Sequence, residues 1–347
     1  MPGKIICELP PNEQNRRNSE GDFVTLNNGD ILFAYTKYDN SWADNASANI
    51  YAIKSTDNGD SFSEPFLLLS HDSIGAANVM SVSFRRMKNG DLGMFALAKD
   101  TEDHCHPFVV RSKDEGKTWS SPVYCNSEPG YYCVVNGRIV EADNGRLIVP
   151  ASSHMVTPSE LIIFASDDDG FTWKTIANGP TVKETHGYEG GISEPGIVKL
   201  NDKLWCFMRN LSGWQYECFS YDNGHTWTEP SPSWFSSPDS PMTVKRLKDG
   251  RLISFWNPIP VYNGRARKVD GVLTHARNPM VFALSSDDGA TFKGITTLEN
   301  DEKSGFCYLA MMETADNALL LGYSAGGPGD SCTLNRMRIR KIDLSEI

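Results

Sequence analysis

One octapeptide recurs along this chain and restricts what it can fold into more than any other feature. Ser55-Thr56-Asp57-Asn58-Gly59-Asp60-Ser61-Phe62 returns from Ser112 to Trp119, from Ser166 to Trp173, from Ser220 to Trp227 and from Ser285 to Phe292. The rule is S-x-D-x-G-x-[ST]-[WF], and successive copies start 57, 54, 54 and 65 residues apart. A near-constant period of this length marks a repeat architecture, in which each unit buries its apolar face only against its neighbours.

Each position of the octapeptide has a physical task. The Asp carboxylate can accept hydrogen bonds from the N–H groups of its own turn, and Gly supplies a positive φ without steric cost. The Ser and Thr hydroxyls can close the turn, and the final aromatic buries against a neighbouring sheet. Aspartates beside glycine also suggest calcium. Here, however, each aspartate belongs to a separate unit, and the clustered oxygens of a calcium loop are missing. The motif is read as a structural turn.

Upstream of each copy lies a strand, a polar turn and a second strand, as in Phe23–Phe33 around Asn28-Gly29 and Met242–Ile253 around Asp249-Gly250. The same pattern surrounds Asn89-Gly90, Asn144-Gly145 and Asn201-Asp202. A third strand then runs into the octapeptide, as in Asn49–Lys54 and Pro279–Leu284. Three or four strands per unit of about fifty residues describe a propeller blade. A sixth unit, from Phe306 to about Arg340, has the strands and an Asp316-Asn317 turn but no octapeptide. The fold predicted is all-β, a six-bladed propeller occupying residues 1–347 as a single domain.

Composition narrows the partners. A net charge of -11 runs against phosphate backbones, so a nucleic-acid partner is not expected. No apolar run approaches the length of a transmembrane span, and Met1–Cys7 is too short for a signal peptide, so a membrane partner is not expected and a cytoplasmic location is. The eight cysteines form no C-x-x-C pair, and the histidines show no ligand spacing. Neither a metal nor another cofactor is therefore expected.

The octapeptide resembles the Asp-box (BNR) repeat, and residues 16–340 resemble the sialidase-like superfamily. That resemblance implies a retaining exo-glycosidase with a Tyr nucleophile, an activating Glu, an Asp acid/base and arginines that grip a substrate carboxylate. A Tyr nucleophile departs from the usual carboxylate pair of glycosidases. A neutral phenol approaches an anionic substrate with less repulsion than a carboxylate would. Carried over position by position, the resemblance puts Glu194, in Ser193-Glu194-Pro195, in the activating role. Tyr308, nine residues before Asn317, takes the nucleophile's place. Arg209 and Arg277 resemble two of the arginines, Arg277 on the strand feeding the fifth octapeptide. Asp44, on the loop Ser41–Ala46, resembles the acid/base.

The family's first arginine has no counterpart in register: its slot holds Ser19, with Arg16 and Arg17 just upstream and Glu20 beside it. Ser cannot supply a guanidinium fork. Substrate-binding candidates are therefore Arg17, Arg209 and Arg277, joined by Asn78 and Arg138 at the openings of the second and third blades. Gln215 is a further substrate-binding candidate, assigned with His104, His106 and His154 to loops between strands that could reach the central mouth, which the blade openings Asn78–Ser81, Asn136–Arg138 and Ser237–Pro241 are expected to line. Trp42 and Trp214 are candidates for stacking on a sugar. The expected function is hydrolysis of a terminal, acidic sugar, with Ser19 leaving a different acidic sugar or a neutral one open. A non-catalytic glycan-binding propeller and a uronic-acid lyase are the alternatives.

Overall fold

The structure, a computed structural model, describes residues 1–101, 104–155, 158–182, 191–261 and 267–347. Six antiparallel sheets follow one another along the chain and form the six blades of a β-propeller. Blade one is built from Arg17–Thr25, Ile31–Tyr38, Ala48–Ser55 and Phe66–Leu69, paired in that order. Blades two, four and five repeat this plan, with first strands Asn78–Arg86, Ser193–Lys199 and Thr243–Arg246. In blade three the first strand is split into Tyr132–Cys133 and Val140–Glu141, both paired with Leu147–Ser153.

Blade six differs in a way the repeat did not predict. Its Cys307–Glu313, Ala318–Ser324 and Met337–Asp343 strands are completed by Lys4–Leu9 from the other end of the chain. Lys4 lies opposite Lys341 and Leu9 opposite Met337. Ile6, Cys7 and Leu9 pack against the cluster containing Ile53, Met337 and Ile339, so apolar burial closes the ring where no covalent link does.

The apolar core lies between blades. Leu32, Ile50 and Ala52 of blade one, for example, meet Val79, Met94 and Phe108 of blade two. The octapeptides hold these seams at one end. Ser55 Oγ donates to Asp57 Oδ1 at 2.7 Å, and that oxygen also accepts from Ser61 N at 2.9 Å. Ser61 Oγ donates to Asp57 Oδ2 at 2.6 Å. The copies at Asp114, Asp168, Asp222 and Asp287 repeat the same bonds. Trp119 reaches the previous blade, its Nε1 donating to the carbonyl of Leu68 at 3.0 Å, whereas Trp173 and Trp227 donate to the carbonyls of Gly170 and Gly224 in their own turns.

The fourth position of the motif also has a positive φ, 57° at Asn58 and 62° at Glu115. Its side chain can then reach across the seam. Glu115 accepts from the backbone N–H of Asn27, and Asp288 from that of Asn201, each at 2.9 Å or less. Asp169 does the same for Lys88. Each of these carboxylates caps the hairpin turn of the preceding blade, which explains an acidic residue at a left-handed position that glycine would occupy without strain.

Candidate active site

The first strands carry a device that the hairpin pattern concealed. In blades one, two, four and six the pairing slips between Ser19 and Asp22, Met80 and Ser83, Ser193 and Gly196, and Cys307 and Ala310. At each slip one side-chain-bearing residue has a positive φ: Glu20 (55°), Ser81 (63°), Glu194 (49°) and Tyr308 (54°). A bulge re-aims a side chain, and a non-glycine residue there costs about 1–3 kcal/mol, sustained by its surroundings. The four side chains converge. Tyr308 Oη donates to Glu194 Oε1 at 2.5 Å, and Ser81 Oγ donates to Glu20 Oε2. In the split strand of blade three, Asn136 donates to the carbonyls of Gly21 at 2.7 Å and Tyr308 at 3.2 Å, holding two of the bulges in place.

One half of the site is organised by Arg209, at the end of Leu204–Arg209. Its Nη1 lies 2.7 Å from Glu194 Oε1, and its Nε is bonded to Asp239. Arg277 donates from Nε and Nη2 to the Asp239 carbonyl, both at 3.1 Å, and from Nη1 to Cys307 Sγ at 3.2 Å. Its guanidinium also lies 5.5 Å from the centre of the Tyr308 ring. Burial, reinforced by the Glu194 charge, holds the Tyr308 phenol protonated well above its ordinary range. At Asp239 burial acts to raise the pKa, but Arg209 and then Arg277 outweigh it and bring it down to about 2. The phenol therefore keeps its proton until a reaction draws it off, and a carboxylate oxygen already lies along that bond.

The other half is organised by Arg17, which is 2% exposed and lies 4.5 Å from the Tyr38 ring centre. Its Nη1 is bonded to Asp44 and to the Trp42 carbonyl. Its Nη2 is bonded to Glu20 Oε1 at 2.9 Å and to Ser19 Oγ at 3.4 Å. Its Nε is buried without a hydrogen-bond partner. Asp44 is the open carboxylate of the group, with a side chain 61% exposed. Burial of its surroundings opposes ionisation, yet Arg17 overcomes this and lowers its pKa. Glu20, deeper and desolvated, is shifted upward despite Arg17.

Several expected positions need correction. Arg138 is 5% exposed, donates to the Met242 carbonyl at 2.7 Å and lies over Phe207, so it ties blade three to blades four and five instead of facing a ligand. Gln215 is fully buried on the Trp214–Ser220 strand, bonded to Ser237 and the Ser240 carbonyl. Asn78, 1% exposed, donates to the Ala46 carbonyl and anchors the loop that carries Asp44. Arg277 precedes its strand, Met280–Ser285, instead of lying on it. His104 and His106 are on the His104–Ser112 strand, not a loop, while His154 follows Leu147–Ser153 and bonds Ser152. Trp42 and Trp214 are exposed. All eight cysteines are free thiols, and among the described residues no cluster of His, Cys, Asp or Glu is arranged to hold a metal ion.

From sequence, Glu20 stands only as a charge beside Ser19, and Ser81, Asn136 and Asp239 only as members of blade openings, none with a role of its own. A signal for three of them was present. Tyr308 stands nine residues before Asn317, and the same offset counted back from Gly29, Gly90 and Gly145 gives Glu20, Ser81 and Asn136.

Residues 70–321 match the BNR repeat-like domain family. A sialidase from Bacteroides fragilis (strain YCH46) is 27% identical over an alignment of 223 residues, and the match covers 59% of this chain and 37% of that protein's length. Among solved structures, a protein of unknown function from Dyadobacter fermentans superposes with a TM-score of 0.75 at 18% identity, covering 99% of this chain and 100% of its own. A mutant of the NanB sialidase from Streptococcus pneumoniae gives 0.74 at 14% identity, over 100% of this chain and 71% of its own. The leech intramolecular trans-sialidase gives 0.73 at 16% identity, over 99% and 70%. At these identities the structural likeness concerns the fold.

Proposed function

The chain belongs to the BNR repeat-like family within the sialidase-like superfamily, and on that premise we propose that it is a retaining, exo-acting glycoside hydrolase. The observation that carries this reading is the 2.5 Å hydrogen bond from Tyr308 to Glu194. Two residues held at strained bulge positions on different blades, and joined as donor and acceptor, fit a nucleophile and its base.

In the first half-reaction the Tyr308 oxygen bonds to the anomeric carbon as the bond to the leaving oxygen breaks. The phenolic proton passes to Glu194, and Asp44, entering protonated, gives its proton to the leaving group. In the second half, water attacks the anomeric carbon, Asp44 takes its proton, and Glu194 returns a proton to the departing phenolate. The electrons balance without an oxidant, and the chemistry calls for no cofactor. Arg209 keeps Glu194 oriented, and its charge offsets the one that gathers on the pair.

A fluorinated glycosyl fluoride slows the second half-reaction and leaves the sugar attached to the nucleophile. Peptide mapping should find that label on Tyr308. A label on another residue would overturn the nucleophile, and turnover that yields an unsaturated product absorbing in the ultraviolet would overturn the hydrolase.

A further inference from the structure

Glu20 has the same place in blade one that Glu194 has in blade four and Tyr308 in blade six, which makes it part of the same ring of side chains. What it does there follows from Arg17. An arginine can grip a ligand carboxylate only through N–H groups that remain available, preferably two in parallel. Arg17 has none: Asp44 and the Trp42 carbonyl occupy Nη1, Glu20 and Ser19 occupy Nη2, and Nε is buried.

Arg277 is engaged in part, with Nε and Nη2 on the Asp239 carbonyl and Nη1 on Cys307, and Arg209 in part, with Nη1 on Glu194 and Nε on Asp239. Glu20, on the blade-one side, keeps acceptor capacity. Its oxygens take one bond each from Arg17 and Ser81, and a carboxylate has lone pairs for more. Glu20 also lies near enough to Glu194 and Asp44 for their charges to act on it. A ligand carboxylate brought to this corner would meet three carboxylates and no available guanidinium fork on the blade-one side. A hydroxyl would find an acceptor.

Resting on the glycosidase reading of this site, we propose that Glu20 is a specificity-determining residue. It makes the site select a neutral terminal sugar, one that offers a hydroxyl to blade one where an acidic sugar would offer its carboxylate. The acidic sugar expected from sequence presumed free arginines, and the bulge that presents Glu20 occupies the one nearest it.

Binding measured by ligand-observed NMR tests this without requiring turnover. The probes are two matched pairs, galactose with galacturonate and glucose with glucuronate, together with N-acetylneuraminate. The wild type should bind the neutral member of at least one pair about tenfold or more tightly than its acid, because like charges brought together are strongly unfavourable. Glu20→Gln should reduce that preference about tenfold by freeing Arg17 and removing a charge. Glu20→Ala, which asks no amide to fit the bulge, should move it in the same direction. A wild type that prefers the acids or binds neither neutral sugar, or a preference that neither variant moves, overturns the proposal. The mechanism is judged separately: a fluorosugar label on Tyr308 with an acidic preference sinks only the substrate class. A neutral preference without that label sinks only the nucleophile.

Discussion

Tyr308 and Glu194 are 114 residues apart in sequence, and they are joined by a hydrogen bond because each is the positive-φ residue of a bulge in a blade's first strand. Regular strands would send both side chains into the seams between blades. The slipped register turns them towards one another. A contact made in this way belongs to the pair, and its removal should show in chemistry more than in stability.

Tyr308→Phe and Glu194→Gln should therefore each lower kcat by about 10²- to 10⁴-fold, the range typical of losing an acid–base or nucleophilic partner. The double variant should be scarcely slower than either single one, since residues acting as a unit are not additive. Sugar affinity should stay close to wild type in Tyr308→Phe. Additive losses across the cycle would mean two independent roles and would count against the mechanism.

The architecture was legible because the octapeptide specifies a turn chemically. Ser, Asp, Gly and Thr at fixed offsets leave few alternatives, and five copies count five blades. The sixth blade could be read only in part: Lys4–Leu9 carries no motif, and its place beside Met337–Asp343 depends on burial that no local pattern announces. At the site, Tyr308, Glu194 and Asp44 could be named only because their positions along the blades resemble those of the sialidase-like superfamily. Arg138 and Gln215 could not be judged, because whether a polar side chain at a blade opening faces a ligand or a neighbour's carbonyl depends on seam geometry. Asp239 lies in a Ser-Pro-rich connection whose path is set by Arg209 and Arg277, both distant in sequence.

Asp222→Ala tests the structural reading of the repeated turn. Its carboxylate accepts from Ser220 Oγ, Thr226 N and Thr226 Oγ1. Removing the acceptor should cost about 1–3 kcal/mol and lower Tm by a few degrees, while kcat/KM of the folded protein stays unchanged. Loss of activity at an unaltered Tm would instead give this aspartate a functional role.

Asp239 predicts a pH dependence. Its pKa is about 2 in the folded chain against an ordinary 3.8, so it favours folding above pH 3.8 and that contribution is lost as pH falls towards 2. The effect is on the order of 2 kcal/mol. Denaturation midpoints measured between pH 4 and pH 2 should fall less steeply in Asp239→Asn than in the wild type, whatever the variant's stability at neutral pH. An identical slope would mean that Arg209 and Arg277 do not hold this carboxylate ionised in solution.

Asp44 carries the last prediction, because its surroundings oppose the role proposed for it. As the acid it must enter the reaction protonated, yet Arg17 lowers its pKa. The protonated fraction grows only as pH falls, so kcat/KM on substrates with a poor leaving group should rise towards acid pH. Aryl glycosides whose phenols leave unaided need no such proton. Asp44→Ala should then slow a poor-leaving-group substrate about 10²-fold or more while affecting an activated aryl glycoside far less in its first half-reaction. Azide, a nucleophile that needs no general base, should restore the second half-reaction in the variant. Equal losses on both substrates, with no response to azide, would remove Asp44 from the chemistry and leave it as the partner that fixes Arg17.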